Sequence, residues 1–264
     1  MTTEAPRRIR MFGGPNGSGK STVLDELRKS WLGIYVNADD IEREWKRDGF
    51  LDLSQFELND DAAHSVLPFF ESSPLVGPER LAAAQVLTVG PRVSIQGLEV
   101  NSYLAAAAAD FIRHELLAAG KSFTFESVMS HRGKVDFLKR AQQEGYRSYL
   151  YFIATDDPEI NVARVEQRVQ LGGHPVARDR IIDRYHKSIA LLEDAVSATH
   201  RAYIFDNSGD RHVLLAEITA GDQLQTKADV FPRWFTESSL WLSFKDELAS
   251  EGEDGAAAAA SEAT

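Results

Sequence analysis

The sequence predicts an α/β protein built on a parallel five-stranded sheet with helices on both faces and one insertion, and three observations carry that expectation. Short apolar runs alternate with helical patterns along most of the chain, the order that a parallel sheet with crossover helices requires. Residues 14–21 read Gly14-Pro15-Asn16-Gly17-Ser18-Gly19-Lys20-Ser21, a complete G-x-x-x-x-G-K-[ST] loop directly behind the apolar run Ile9, Met11, Phe12. Thr22, Val23, Leu24 and Leu27 then open a helix, so the loop has the strand-before, helix-after setting of a phosphate-binding loop.

Taken in order, the predicted strands are residues 8–13, 33–37, 122–126, 147–153 and 202–206. Between the second and third lie residues 49–100, turn-rich and weakly periodic, with Ser72-Ser73-Pro74 and Val76-Gly77-Pro78; they read as an insertion that covers a substrate cleft, binds a partner or packs only locally. A helix over about 102–119 is capped by Asn101 and stopped by Gly120. Another over about 158–170 has Asp157 as cap and Pro158 at its first position, and ends before Gly172-Gly173. The expected organisation is a phosphate-loop domain over 1–220 with its insertion at 49–100, an extension over 221–249, and a tail over 250–264. That tail lacks large apolar residues and is expected to be disordered.

Composition narrows the function. A formal charge of −11 argues against a generic polyanion-binding surface, which makes nucleic acid a poor partner. With no cysteine there is neither a disulfide nor a thiolate metal site. No apolar run is long enough to span a bilayer and Met1 to Arg8 lead into no apolar leader, so a cytoplasmic protein without membrane association is expected.

The chemistry follows from the loop. A glycine-rich turn before a helix aims successive backbone N–H groups at one point, so Gly14, Asn16, Gly17, Ser18, Gly19, Lys20, Ser21 and Thr22 are the expected ATP contacts. Lys20 reaches the β/γ-phosphates and the Ser21 hydroxyl ligates Mg2+. In open α/β sheets ligands gather beyond the carboxyl ends of strands, which draws attention to Asn37-Ala38-Asp39-Asp40 and Glu126-Ser127. Asp39 or Asp40 is the natural base for phosphoryl transfer to an alcohol, although either would also cap the helix that follows. Glu126 is expected to contact a Mg2+-bound water or to hold a substrate hydroxyl, the alternative being a solvated strand end, and Asp40 is a further candidate substrate ligand. Arg164 and Arg168, one helical turn apart, precede Gly172-Gly173-His174-Pro175 and a second helix with Arg178, Arg180 and Arg184. Helix, glycine hinge and helix read as a lid over phosphates, with Arg164 and Arg168 acting on the transferring group; the alternative is a solvated face partly neutralised by Glu166, Asp179 and Asp183.

These motifs together resemble the zeta toxin family of phosphate-loop kinases, in its broader zeta-like branch. The resemblance rests on Gly13 to Thr22, Val36-Asn37-Ala38-Asp39-Asp40-Ile41, Phe123-Thr124-Phe125-Glu126-Ser127 with Met129-Ser130, and Gly145-Tyr146. It continues through Ala163-Arg164-Val165-Glu166-Gln167-Arg168-Val169, Gly172-Gly173-His174, Arg184-Tyr185 and Phe205-Asp206-Asn207-Ser208. It implies a nucleotide-kinase-like sheet and Mg-ATP-dependent phosphorylation of a sugar hydroxyl, UDP-N-acetylglucosamine being the acceptor of toxin members. It also implies Asp39 as base, Glu126 as substrate ligand, Arg164 or Arg168 as first lid arginine, Arg178 as a candidate second, and an antitoxin protein as a candidate partner. The competing class is an ATP-driven switch or an ABC-type ATPase. Such proteins carry an apolar strand ending in Asp-Glu and a Leu-Ser-Gly-Gly signature, and neither occurs; at the nearest approach, Ile153-Ala154-Thr155-Asp156-Asp157, Asp157 reads as a helix cap.

Overall fold

Residues 6–82 and 84–245 are described in the computed structural model; the tail over 250–264 lies outside them. Its strands are β1 (Arg8–Gly13), β2 (Ile34–Val36), β3 (Leu51–Asp52), β4 (Gln85–Val89), β5 (Arg92–Gln96), β6 (Phe123–Ser127), β7 (Arg147–Ala154), β8 (Arg201–Asp206), β9 (Val213–Thr219) and β10 (Gln223–Thr226). All five predicted strands are present, as β1, β2, β6, β7 and β8, within about a residue of their expected ends. The chain forms two compact units, Met1–Arg10 with Leu27–Glu126 and Met11–Glu26 with Ser127–Thr264, and β1 passes from the first into the second.

In the first unit the strand order is β1-β6-β2. The parallel pair β2/β6 sets Ile34 opposite Phe123 and Val36 opposite Phe125. The helix Ser102–Ala118 begins where capping chemistry predicts: the Asn101 side chain accepts from Tyr103 N (3.0 Å) and Leu104 N (3.1 Å). It stops at Gly120, whose φ of 69° suits glycine. Residues 49–100 are more ordered than their sequence suggests. They hold a helix, Asp60–Ser72, capped by Asn59, and a small antiparallel sheet of order β3-β5-β4. In β4 (Gln85-Val86-Leu87-Thr88-Val89) each residue is at least partly exposed; Gly90, at φ 58°, lets the chain turn back from Val89 to Arg92.

In the second unit the order is β10-β9-β8-β7-β1. β7 and β8 are parallel, from Tyr149 opposite Arg201 to Ala154 opposite Asp206. β9 and β10 then add an antiparallel edge. This unit therefore holds two strands, β9 and β10, beyond the parallel ones that were expected. The expectation counted strands separated by helices, whereas β8, β9 and β10 follow one another through short connections. Phe12, Tyr151 and Tyr203 stack across β1, β7 and β8 with ring centroids 4.6 and 4.9 Å apart. Past β10, Trp234 ties the extension to the strand ends, donating Nε1–H to Asp206 Oδ1 (2.8 Å) and its backbone N–H to Asp156 Oδ1 (3.2 Å).

Candidate functional site

Within the second unit the glycine loop is held so closely that only glycine fits. A Cβ at Gly14 (φ 140°) would lie 2.0 Å from Ile153 O, at Gly17 (φ 76°) 2.5 Å from Asn161 O, and at Gly19 (φ 89°) 2.1 Å from Asn207 Nδ2. Gly19 is left-handed and Lys20 starts the helix Lys20–Asp25, the αL-to-αR sequence that turns successive N–H groups toward one point. Lys20 Nζ bends back over the loop to donate to Gly14 O (2.9 Å) and Pro15 O (2.8 Å). Ser18 is fully buried, and its hydroxyl oxygen has no hydrogen-bond partner.

Two asparagines that sequence reasoning assigned no role grip this loop. Asn161 Nδ2 donates to Asn16 O (2.6 Å), and Asn207 Nδ2 donates to Ser18 O (2.8 Å). Asn161 lies in the first turn after the Asp157 cap, whose Oδ1 accepts from Glu159 N at 2.8 Å, and Asn207 follows β8 directly. A signal for both was available: an asparagine at a strand end or in the first turn of a helix stands where this fold gathers its ligands.

The predicted lid is a packed helix pair, Pro158–Gln170 and Arg178–Ala190, sharing the apolar cluster Val162, Val165 and Ile181. Gly172 at φ 92° makes the turn. Its arginines separate. Arg164 is half-buried and donates to Asn207 O (2.8 Å) and Gly209 O (3.4 Å), while Arg184 reaches Asn16 Oδ1 (3.3 Å), so both touch the phosphate loop or its support. Arg168 is exposed and reaches back to His174 O at 3.5 Å. Arg178 is half-exposed and pairs with Glu159 in a two-pronged ion pair (2.9 and 2.5 Å), and Arg180 is exposed. His174 sits in the turn, as its glycine neighbours indicate.

The first unit carries the predicted carboxylates Glu126, Asp39 and Asp40. Tyr35 donates its hydroxyl to Glu126 Oε1, and Asn37 Nδ2 donates to Tyr35 OH at 2.9 Å. Burial, then the negative charge of Glu126, push the Tyr35 hydroxyl far above its ordinary range, so it stays a protonated donor to that carboxylate. The helix Ala38–Asp48 is capped by Asn37, whose Oδ1 accepts from Asp39 N (2.8 Å) and Asp40 N (3.4 Å). Neither aspartate is therefore the cap. Asp40 pairs with Arg43 at 2.5 Å, and Asp39 is exposed.

No group of three or more His, Asp or Glu side chains suited to a metal ion, and no helix long and apolar enough to cross a membrane, occurs among the described residues. A family model described as Zeta toxin matches residues 101–216, a span that contains Glu126, Asn161, Arg164, Arg168 and Asn207. A protein of Haemophilus influenzae described as uncharacterized is 36% identical over 63 residues, which are 24% of this chain and 45% of that protein, so the match spans about half the length of this curated relative. Among solved structures, the chain is similar to the PezAT chromosomal toxin-antitoxin system of Streptococcus pneumoniae (15% identity, 96% of this chain and 87% of that one, TM-score 0.47). It is also similar to the AvrRxo1-ORF1:-ORF2 complex with ATP (12% identity, 85% and 61%, TM-score 0.46).

Proposed function

We propose that this chain, whose residues 101–216 match the Zeta toxin family model, is an ATP-dependent kinase that phosphorylates a sugar hydroxyl of a small molecule, a nucleotide sugar such as UDP-N-acetylglucosamine being the leading acceptor. The observation that carries this reading is the loop itself. Three positive-φ glycines leave no room for a Cβ, the Lys20 ammonium lies on the Gly14 and Pro15 carbonyls, and the buried Ser18 hydroxyl is left without a partner. A loop with no ligand to hold has no need of so tight a backbone. These features suit a triphosphate, which the backbone N–H groups of Gly17, Gly19, Lys20 and Ser21 together with the Lys20 ammonium would hold, with the exposed Ser21 as the residue that would ligate Mg2+. Mg2+ would supply charge neutralisation at the β- and γ-phosphates.

The chain's own residues take the remaining roles. Lys20 swings from the Gly14 and Pro15 carbonyls to the phosphate oxygens, a short move for a flexible ammonium. Asp39 accepts the acceptor hydroxyl's proton; it is exposed, and Asn37 relieves it of capping duty. Glu126, oriented by the Tyr35 hydroxyl, accepts hydrogen bonds from the sugar. Arg164 offers a planar guanidinium to the transferring phosphate, with Arg168 as a second cation when the helix pair closes. An antitoxin is the protein partner this reading anticipates. The test is Lys20→Ala: the variant should fold with an unchanged circular dichroism spectrum and lose ATP binding by calorimetry. Undiminished ATP binding would remove the loop from the account.

A further inference from the structure

We propose that Asn161 and Asn207 are positioning residues of the phosphate loop, each gripping one loop carbonyl so that the N–H of the same peptide is presented to a nucleotide phosphate. The inference rests on the ATP-dependent reading above. A trans peptide is planar, and its C=O and N–H point in opposite directions. Asn161 Nδ2 holds Asn16 O at 2.6 Å, which turns the Gly17 N–H away from Asn161. Asn207 Nδ2 holds Ser18 O at 2.8 Å, which turns the Gly19 N–H away from Asn207. Alternate peptides of the loop are thus set by two side chains from distant parts of the chain.

Each asparagine is itself held. Asn161 is fully buried; its Oδ1 accepts from the Thr155 hydroxyl, and Thr155 O in turn accepts from Tyr185 OH at 2.6 Å. That acceptor role of Oδ1 fixes which end of the amide faces the loop. Asn207 is 8% exposed; its N–H donates to Ala154 O at 2.8 Å and its carbonyl accepts from Arg164 at 2.8 Å. The glycines are the matching half of the device, since a Cβ at Gly17 or Gly19 would strike the Asn161 backbone or the Asn207 amide. A shorter side chain at 161 or 207 cannot reach the carbonyl.

The test measures ATP and adenosine binding to wild type, Asn161→Ala and Asn207→Ala by competition, together with the melting temperature of each nucleotide-free protein. Loop positioning acts only on phosphates, so each variant should bind ATP about tenfold more weakly, a 1.4 kcal/mol change, and adenosine within about twofold of wild type. Parallel weakening of both ligands, or ATP binding within twofold of wild type, overturns the assignment. Asn207→Ala decides alone if Asn161→Ala does not fold. Equal affinity of the wild-type protein for ATP and adenosine overturns the ATP reading itself, an outcome distinct from failure of the two asparagines.

Discussion

Replacing Asn37 and Asp39 separately should split stability from turnover. Asn37 is the cap of the helix Ala38–Asp48, its Oδ1 accepting two of the four N–H groups that a helix start leaves unpaired. Asn37→Ala should therefore cost about 1 kcal/mol, which for a chain of this size lowers the melting temperature by roughly 2–4 °C. Asp39 is exposed and Asn37, not Asp39, is the cap; the attraction of the Asp39 charge to the positive end of the helix is worth about 0.3–1 kcal/mol and is screened by salt. Asp39→Asn keeps the backbone N–H that Asn37 accepts, so at high salt, where the dipole attraction is screened, it should melt within about 2 °C of wild type while losing about 10² or more in turnover if it is the general base. Differential scanning fluorimetry and a coupled ADP-release assay read the two quantities on the same preparations. Asp39→Asn that melts like Asn37→Ala and turns over within twofold of wild type would refute the catalytic assignment.

Two further outcomes follow. The Tyr35 hydroxyl is held above its unfolded value of about 10, so its contribution to stability is complete below that pH and is lost as pH rises above it; Tyr35→Phe should flatten the alkaline fall in unfolding free energy by roughly one proton, measured by urea titration across pH 9–11. Arg164 makes two carbonyl contacts beside the loop, whereas Arg178 makes an exposed ion pair of the kind worth about 0–1 kcal/mol, so Arg164→Lys should cut turnover at least tenfold and Arg178→Lys should not; equal effects in the ADP-release assay would remove this distinction.

What could be read from the sequence is what local chemistry dictates. The loop at 14–21 declares itself through three glycines whose positive φ no other residue tolerates cheaply, and the caps Asn101 and Asp157 through the residues that follow them. Asn37 escaped because three capping side chains stand in a row of four, Asn37, Asp39 and Asp40, and only the backbone decides which one precedes the first helical turn. The small sheet within 49–100 escaped although Val86-Leu87-Thr88-Val89 and the alternating Arg92-Val93-Ser94-Ile95-Gln96 flank the turn residues Gly90 and Pro91, because the turn-rich stretch around them reads as one insertion. The two loop-holding asparagines and the support that Arg164 gives to one of them depend on contacts 43 to 189 positions apart along the chain, which no spacing rule anticipates.

The central claim is transfer of the γ-phosphate to a sugar hydroxyl. Incubation of the wild-type chain and Lys20→Ala with γ-labelled ATP, Mg2+ and a panel of nucleotide sugars and nucleosides, resolved by chromatography, tests it most directly. Label is expected on a nucleotide sugar, UDP-N-acetylglucosamine first among them, with none in Lys20→Ala. Label appearing only as inorganic phosphate, with no phosphorylated acceptor, would contradict it and leave an ATP-hydrolysing switch in its place.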